Sequence, residues 1–170
     1  TPEKLHELMV EGTQLFHAGK YNESASKFLR VTLADRQNVD ATLAYAIARF
    51  ATGDYQIAGL AVRRGIRRIP DVVKSTFDVR SQYGNPNHFG DHLTRLEHYL
   101  KEHPGDLDAW VVLGFVKHFS GERVHAAEIF RRLRDMPQAD AELAEIFLDA
   151  ASQNGQDANP PAAETQPATG

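Results

Sequence analysis

Apolar residues recur three and four positions apart through most of the chain, which is the spacing of one face of an α-helix. In residues 3–17, for example, Leu5, Leu8, Met9 and Phe16 share such a face. The same spacing along the sequence predicts helices over residues 3–17, 21–33, 39–51, 55–69, 71–83, 89–102, 107–119, 123–133 and 141–151. The pattern therefore predicts an all-α protein.

A short turn separates the two helices of each predicted pair, and this turn recurs at a fixed interval. It is Gly19-Lys20-Tyr21 in the first pair, Gly53-Asp54-Tyr55 in the second and Gly121-Glu122-Arg123 in the last. The distance along the chain from Gly53 to Gly121 is twice that from Gly19 to Gly53. Asn87-His88-Phe89 holds the slot halfway between the last two in a weaker form. A period of about 34 residues with helical flanks indicates repeats that stack into a solenoid.

The helices group into four pairs and one single helix, followed by a tail. The predicted units are residues 3–36, 39–70, 71–104 and 107–137, with a capping helix at 139–152 that covers the last pair. The third unit is the most degenerate. Residues 154–170 hold no large apolar side chain, so we predict that they are disordered. Residues 1–153 are predicted to form one α-solenoid domain.

The fourth unit carries the clearest family signature. Trp110, Leu113, Gly114, Ala126 and Phe130 resemble the tetratricopeptide (TPR) consensus, with an aromatic and Leu-Gly on the first helix and a small residue and an aromatic on the second. The small residue lets the two helices cross closely, and the bulky one fills the gap beside it. The resemblance implies a right-handed superhelix that acts as a non-catalytic scaffold for protein–protein interaction.

Departures from that consensus are concentrated in the third unit, which lacks both the Leu-Gly pair and the turn glycine. Its Tyr83-Gly84-Asn85-Pro86 stretch more faintly resembles an atypical middle repeat of uncharacterised bacterial proteins, some of them exported. The resemblance implies a bacterial cytoplasmic protein, or a periplasmic or envelope protein if an upstream signal was removed. Because the chain begins at Thr1, we expect it to be a fragment of a longer or processed protein.

Composition narrows the function without naming a ligand. A net charge of −4 argues against nucleic acid as a partner, and the absence of cysteine excludes disulfides and thiolate chemistry. No apolar run approaches the length that spans a bilayer, so direct membrane insertion is not expected. The sequence has no phosphate-binding loop, nucleophile elbow or paired His-Glu zinc motif. We therefore predict no enzymatic activity and no cofactor.

The concave groove is the strongest candidate site. In the family that the chain resembles, one face of each first helix lines this groove, and the register gives an unusually apolar face. The predicted partner-binding residues are Met9, Phe16, Leu43, Ile47, Phe50, Phe77, Val111, Phe115 and His118. The hypothesis is a helical or extended apolar peptide docked there. The alternative is a tightly wound or self-filled array in which these residues are core, and a Phe115→Glu variant separates the two.

Two alternatives to peptide binding in the groove are a basic patch and self-assembly. Arg63, Arg64, Arg67 and Arg68 form a basic patch, which we interpret as a solvated helix face rather than as a site for phosphate, acidic peptide or lipid. A structural module that self-assembles as a homo-oligomer, through the groove or a terminal repeat, is the main rival function.

Histidine is over-represented, with eight copies. His88 and His92 are spaced to share one helical face, and His98 and His103 follow, a pattern that would suit a zinc or small-ligand site. Our prediction is instead that His88 lies in a turn, that His92 and His98 face solvent, and that no metal site forms.

Overall fold

The computed structural model of the protein describes residues 1–153, and within them every regular element is an α-helix or a 3₁₀-helix. The predicted all-α solenoid-like class is confirmed. The predicted disorder of residues 154–170 lies outside the described residues. The α-helices are α1 Pro2–His17, α2 Tyr21–Ala34, α3 Val39–Thr52, α4 Tyr55–Arg68, α5 Pro86–Glu102, α6 Leu107–His118, α7 Arg123–Asp135 and α8 Ala141–Gln153.

Three helix pairs stack in sequence: α1 with α2, α3 with α4, and α6 with α7. The stack is continuous because α2 packs on α3, α4 packs on α6, and α8 covers α7. At the last contact, the rings of Phe130 and Phe147 stack with their centroids 4.1 Å apart. The pair that would come third in sequence is therefore left out of the stack.

Glycine allows both the tight turns and the close helix crossings that the repeat predicts. Gly19, Gly53 and Gly121 have φ values of 82°, 84° and 84°, a left-handed conformation that side chains disfavour. Within the last pair, a Cβ on Gly114 would lie 2.6 Å from Cζ of Phe130. The predicted role of this small–bulky combination is confirmed, because only glycine leaves room for the ring.

The predicted helix over residues 71–83 is wrong. The chain there forms two short 3₁₀-helices, Pro70–Lys74 and Val79–Gln82, joined by extended residues. Val72, Val73 and Val79 are β-branched and lower helix propensity, since their χ1 freedom is restricted against the preceding turn. Asp78 also accepts a hydrogen bond from the backbone N–H of Arg80 at 2.9 Å, a local bond that competes with helix formation.

Residues 69–85, which we call the strap, cross the array on the side formed by its first helices, α1, α3 and α6. We call that side the inner face. The backbone N–H of Val79 donates to the carbonyl of Phe119 at 2.8 Å, and Nε2 of His118 donates to the carbonyl of Val73 at 2.6 Å. The first 3₁₀-helix also packs on α4 and α8, while the second packs on α1. The strap therefore connects both ends of the array.

Helix α5 lies along the edge where the first two pairs make their turns. A Cβ on Gly19 would face His88, and a Cβ on Gly53 would face Arg95. Asn85 caps α5 by accepting from the backbone N–H of Asn87, so this helix starts at Pro86, three residues earlier than predicted. Residues 87–89, which the sequence placed in a weak turn, are consequently helical.

Candidate functional site

A recess of about 450 Å³ opens between the inner face and the strap. Its walls come from α1, α2, α3, α6, the residue after α6 and the strap, and most of them are apolar. The lining residues are Met9, Thr13, Phe16, Phe28, Asp40, Leu43, Ala44, Ile47, Val72, Ser75, Phe77, Gln82, Phe115 and Phe119. Its size lies within the range of ligand pockets, which is roughly 300–1,000 Å³.

Six of the nine predicted groove residues line this recess. They are Met9, Phe16, Leu43, Ile47, Phe77 and Phe115. Phe77 differs from the others, because it lies on the strap between the two 3₁₀-helices and its side chain is 39% exposed. Its ring packs edge-on against Phe119 with centroids 5.9 Å apart. The exposed ring leaves part of the apolar wall in contact with water.

The other three predicted residues, Phe50, Val111 and His118, are buried and do not line the recess. Phe50 packs against the rings of Phe89 and His92 of α5. His118 is covered by the strap through its bond to the Val73 carbonyl. The protein's own middle segment thus occupies part of the inner face and leaves a recess rather than a full-length groove.

Apart from Phe77, the strap residues that line this recess were not predicted from the sequence. Val72 lies on the first 3₁₀-helix, Gln82 on the second and Ser75 in the extended link, whereas the predicted single helix over residues 71–83 places them differently. The hydroxyl of Ser75 is buried without a hydrogen-bond partner among residues 1–153, whereas its carbonyl accepts from Nη2 of Arg123 at 2.9 Å. The backbone of Ser75 is therefore anchored to α7, whereas its hydroxyl has no partner among the described residues.

The histidines of α5 contribute to packing. His88 and His92 share a face, as their spacing predicts, but each hydrogen-bonds through Nδ1 to a tyrosine: His88 to Tyr21 at 2.8 Å and His92 to Tyr83 at 2.9 Å. His92 is half-buried, so the expectation that it faces solvent is wrong, and burial lowers its pKa to about 4. Within residues 1–153, no three His, Asp or Glu side chains gather closely enough to hold a metal ion.

Acid is expected to destabilise the protein through His118. Burial lowers its pKa to about 4, against about 6.5 in an unfolded chain. Between these values the unfolded state binds the proton and the folded state does not, so the free energy of unfolding falls as the pH drops from 6.5 to 4. The His118 contribution to this loss is about 2–3 kcal/mol.

Urea unfolding across that pH range measures the loss. His118→Gln is the comparison, because its amide keeps a donor for the Val73 carbonyl but does not titrate. The variant is expected to lose a substantial part of the acid sensitivity while His92 supplies the remainder. An unchanged pH dependence in the variant would show that His118 does not titrate as its burial requires.

The predicted basic patch divides into two parts. Arg63 forms ion pairs with Asp108 and Asp140, and Arg67 also pairs with Asp140, so these two side chains join α4 to the start of α6 and to the residue before α8. Arg64 and Arg68 are exposed, and no carboxylate within residues 1–153 forms an ion pair with either of them. Half of the patch thus holds the stack together.

The fold defines an all-helical, repeat-like protein whose inner face carries an apolar recess. Neither a protein-family model nor a curated protein matches this chain. In the part of the chain that the structure describes, no helix is long and apolar enough to cross a membrane. The recess and the residues that line it are therefore the candidate functional site.

Proposed function

We propose that the chain is a non-catalytic protein–protein interaction module that binds an apolar segment of a partner in the inner-face recess. The observation that carries this proposal is the open, mostly apolar recess, at which Phe77 is 39% exposed and Met9 and Val72 are partly exposed. Contiguous exposed apolar surface is uncommon on proteins without a partner and often marks an interaction site. Met9 adds a flexible side chain that adapts to different apolar groups.

The strap limits how much of a partner fits. The strap covers His118, and α5 covers Phe50. A long partner helix that lies along the whole array would therefore clash with these two segments. The remaining space suits a short helical or extended segment that inserts a few apolar side chains. Affinity then depends on a small number of buried anchors, as is usual for interfaces.

We also propose that the array is a divergent tetratricopeptide-type repeat protein. Support comes from the three left-handed turn glycines, which fall on multiples of one repeat period, and from the matched crossings of Gly12 with Phe28 and Gly114 with Phe130. In this view the strap has replaced the first helix of the third repeat, while α5 remains as its second helix. The interaction function is what such arrays are expected to serve.

Replacing Phe77 by Ser is expected to weaken partner binding strongly while the fold is retained. Peptides selected from a displayed library on the full chain should bind the variant about tenfold or more weakly, because the exposed anchor surface is lost. Stability should fall by about 1 kcal/mol, since the ring is only partly buried. Binding is measured by fluorescence anisotropy, with circular dichroism to confirm folding.

Leu33→Ser is the matched control, because Leu33 is a large apolar residue that is 60% exposed on α2 and does not line the recess. Binding should survive in this variant. Equal loss in both variants, or none in either, would contradict the proposed site. Sizing the chain over a range of concentrations tests self-assembly, and a dimer that Phe77→Ser dissociates would make a second copy the occupant of the recess.

A further inference from the structure

One ionisable side chain lines the recess. Among the side chains that line it, Asp40 alone is ionisable, and it is exposed at the rim. It forms no ion pair or side-chain hydrogen bond with any residue from 1 to 153. The other polar lining groups, Thr13, Ser75 and Gln82, are neutral. The opening of the recess therefore presents an apolar wall beside a single uncompensated carboxylate.

Local structure leaves the Asp40 carboxylate available to a partner. The helix N-terminus is already capped by Asn38, whose Oδ1 accepts from the backbone N–H of Ala41 at 2.9 Å. Asp40 follows in the first turn, where the helix dipole tolerates a negative charge. Because no cap or bridge occupies its oxygens, they are free to accept from a donor seated in the recess.

The chain's own C-terminal residues do not complement this arrangement. Residues 154–170 contain no lysine or arginine and no large apolar side chain, and their two charged residues, Asp157 and Glu164, are acidic. They offer neither an anchor for the apolar wall nor a cation for Asp40. Residues 154–170 therefore do not supply an occupant that satisfies both the apolar wall and Asp40.

We infer that the recess recognises a peptide segment in which a lysine or arginine lies beside an apolar anchor. The inference rests on the proposed function and adds to it a preference for positively charged partner residues. The apolar group enters the recess while the cation contacts Asp40 at the rim. Opposite charges across an interface choose between partners more than they add affinity. An acidic segment with the same anchor is disfavoured by repulsion.

The test is a specificity switch. A library of random peptides displayed on phage is panned in parallel on the full-length wild type, on Asp40→Lys and on Asp149→Lys. Asp149 is exposed on α8 and does not line the recess, so the last variant makes the same charge change elsewhere. Wild type and Asp149→Lys should enrich basic residues next to the apolar anchor, and Asp40→Lys should enrich acidic ones.

Selected peptides are then resynthesised with the basic residue replaced by Gln. The wild type should bind the basic form about two- to fivefold more tightly at about 0.1 M salt, and most of the difference should vanish at about 1 M salt. Asp40→Asn should show no preference at either salt concentration. Asp149→Lys should retain the wild-type preference.

The outcomes separate the inference from the proposed function. Apolar peptides that enrich on all three proteins without a charge bias would overturn the inference and leave the proposed function standing. A preference that Asp149→Lys alters as much as Asp40→Lys would also overturn it, since the effect would then come from net charge. If no peptide enriches on protein that is shown to be folded, both the proposed function and the inference fail.

Discussion

Phe115→Glu is expected to unfold the protein rather than merely to abolish binding. Phe115 lines the floor of the recess, yet its side chain is only 1% exposed and its ring packs on Phe119 with centroids 5.2 Å apart. The substitution removes a buried ring and puts a carboxylate in an apolar site without a partner. A loss of about 4 kcal/mol or more is expected, to be measured by urea unfolding monitored by circular dichroism.

Phe115→Leu is the control for this prediction. It keeps an apolar side chain in the floor and is expected to cost about 1–2 kcal/mol, with the helical signal retained. A Phe115→Glu protein of wild-type stability would mean that the floor admits water and that the recess is larger than described. The sequence left open whether this residue belongs to a groove or to the core, and the geometry places it at the boundary of both.

Gly84→Ala is expected to detach or distort the strap. A Cβ at this position would lie 2.1 Å from the backbone carbonyl oxygen of His17 at the end of α1, so one of the two backbones must move. The neighbouring Tyr83 packs edge-on against Phe16 with centroids 4.8 Å apart, and that contact would shift too. We expect a loss of about 3 kcal/mol in the free energy of unfolding.

Gly90→Ala is the matched control, because a Cβ at Gly90 meets no atom within 4 Å and the residue lies inside α5. Alanine there is expected to stabilise the protein by about 0.5–1 kcal/mol through helix propensity. Should Gly84→Ala unfold at the wild-type urea concentration, the strap would not be packed on α1, and the recess would lose one of its walls.

The stacked pairs could be predicted because local signals agree there. Apolar spacing, a glycine at each turn and a small residue opposite each bulky one all indicate the same structure. Predicted bounds for α3 and α7 are within two residues of those observed, because Asn38 caps the first and Gly121 precedes the second. Each signal recurs from pair to pair, so a weak match in one pair is supported by the others.

The strap could not be predicted from periodicity, although two signals for it were present. Val72, Val73, Phe77, Val79 and Tyr83 are spaced closely enough to suggest a helical stripe, and only the density of β-branched residues argues otherwise. A second signal lies in α6, where residues 111–118 are all buried. Residues 109–116 are all apolar or glycine, so apolar side chains lie on every face of this part of the helix and require cover on the inner side as well as the outer.

The candidate site could likewise be predicted where it lies on the stacked helices and not where it depends on the strap. Register on the first helices brought Met9, Phe16, Leu43 and Ile47 to one recess, because side chains three and four apart share a helical face. The size of the recess depends on non-local contacts of the strap, which no local pattern encodes. The role proposed for Asp40 in recognising a cation depends on the other lining residues being uncharged, which becomes known only when the lining is known.

Methyl resonances provide the most direct test of the claim that partners dock in the inner-face recess. Peptides selected on the full chain are titrated into protein labelled at its Met, Ile, Leu and Val methyl groups. Shift changes are expected at Met9, Leu43 and Ile47, which line the recess, and not at Leu60 or Val124, which are exposed elsewhere. Changes centred on Leu60 or Val124, with the recess unaffected, would contradict the claim.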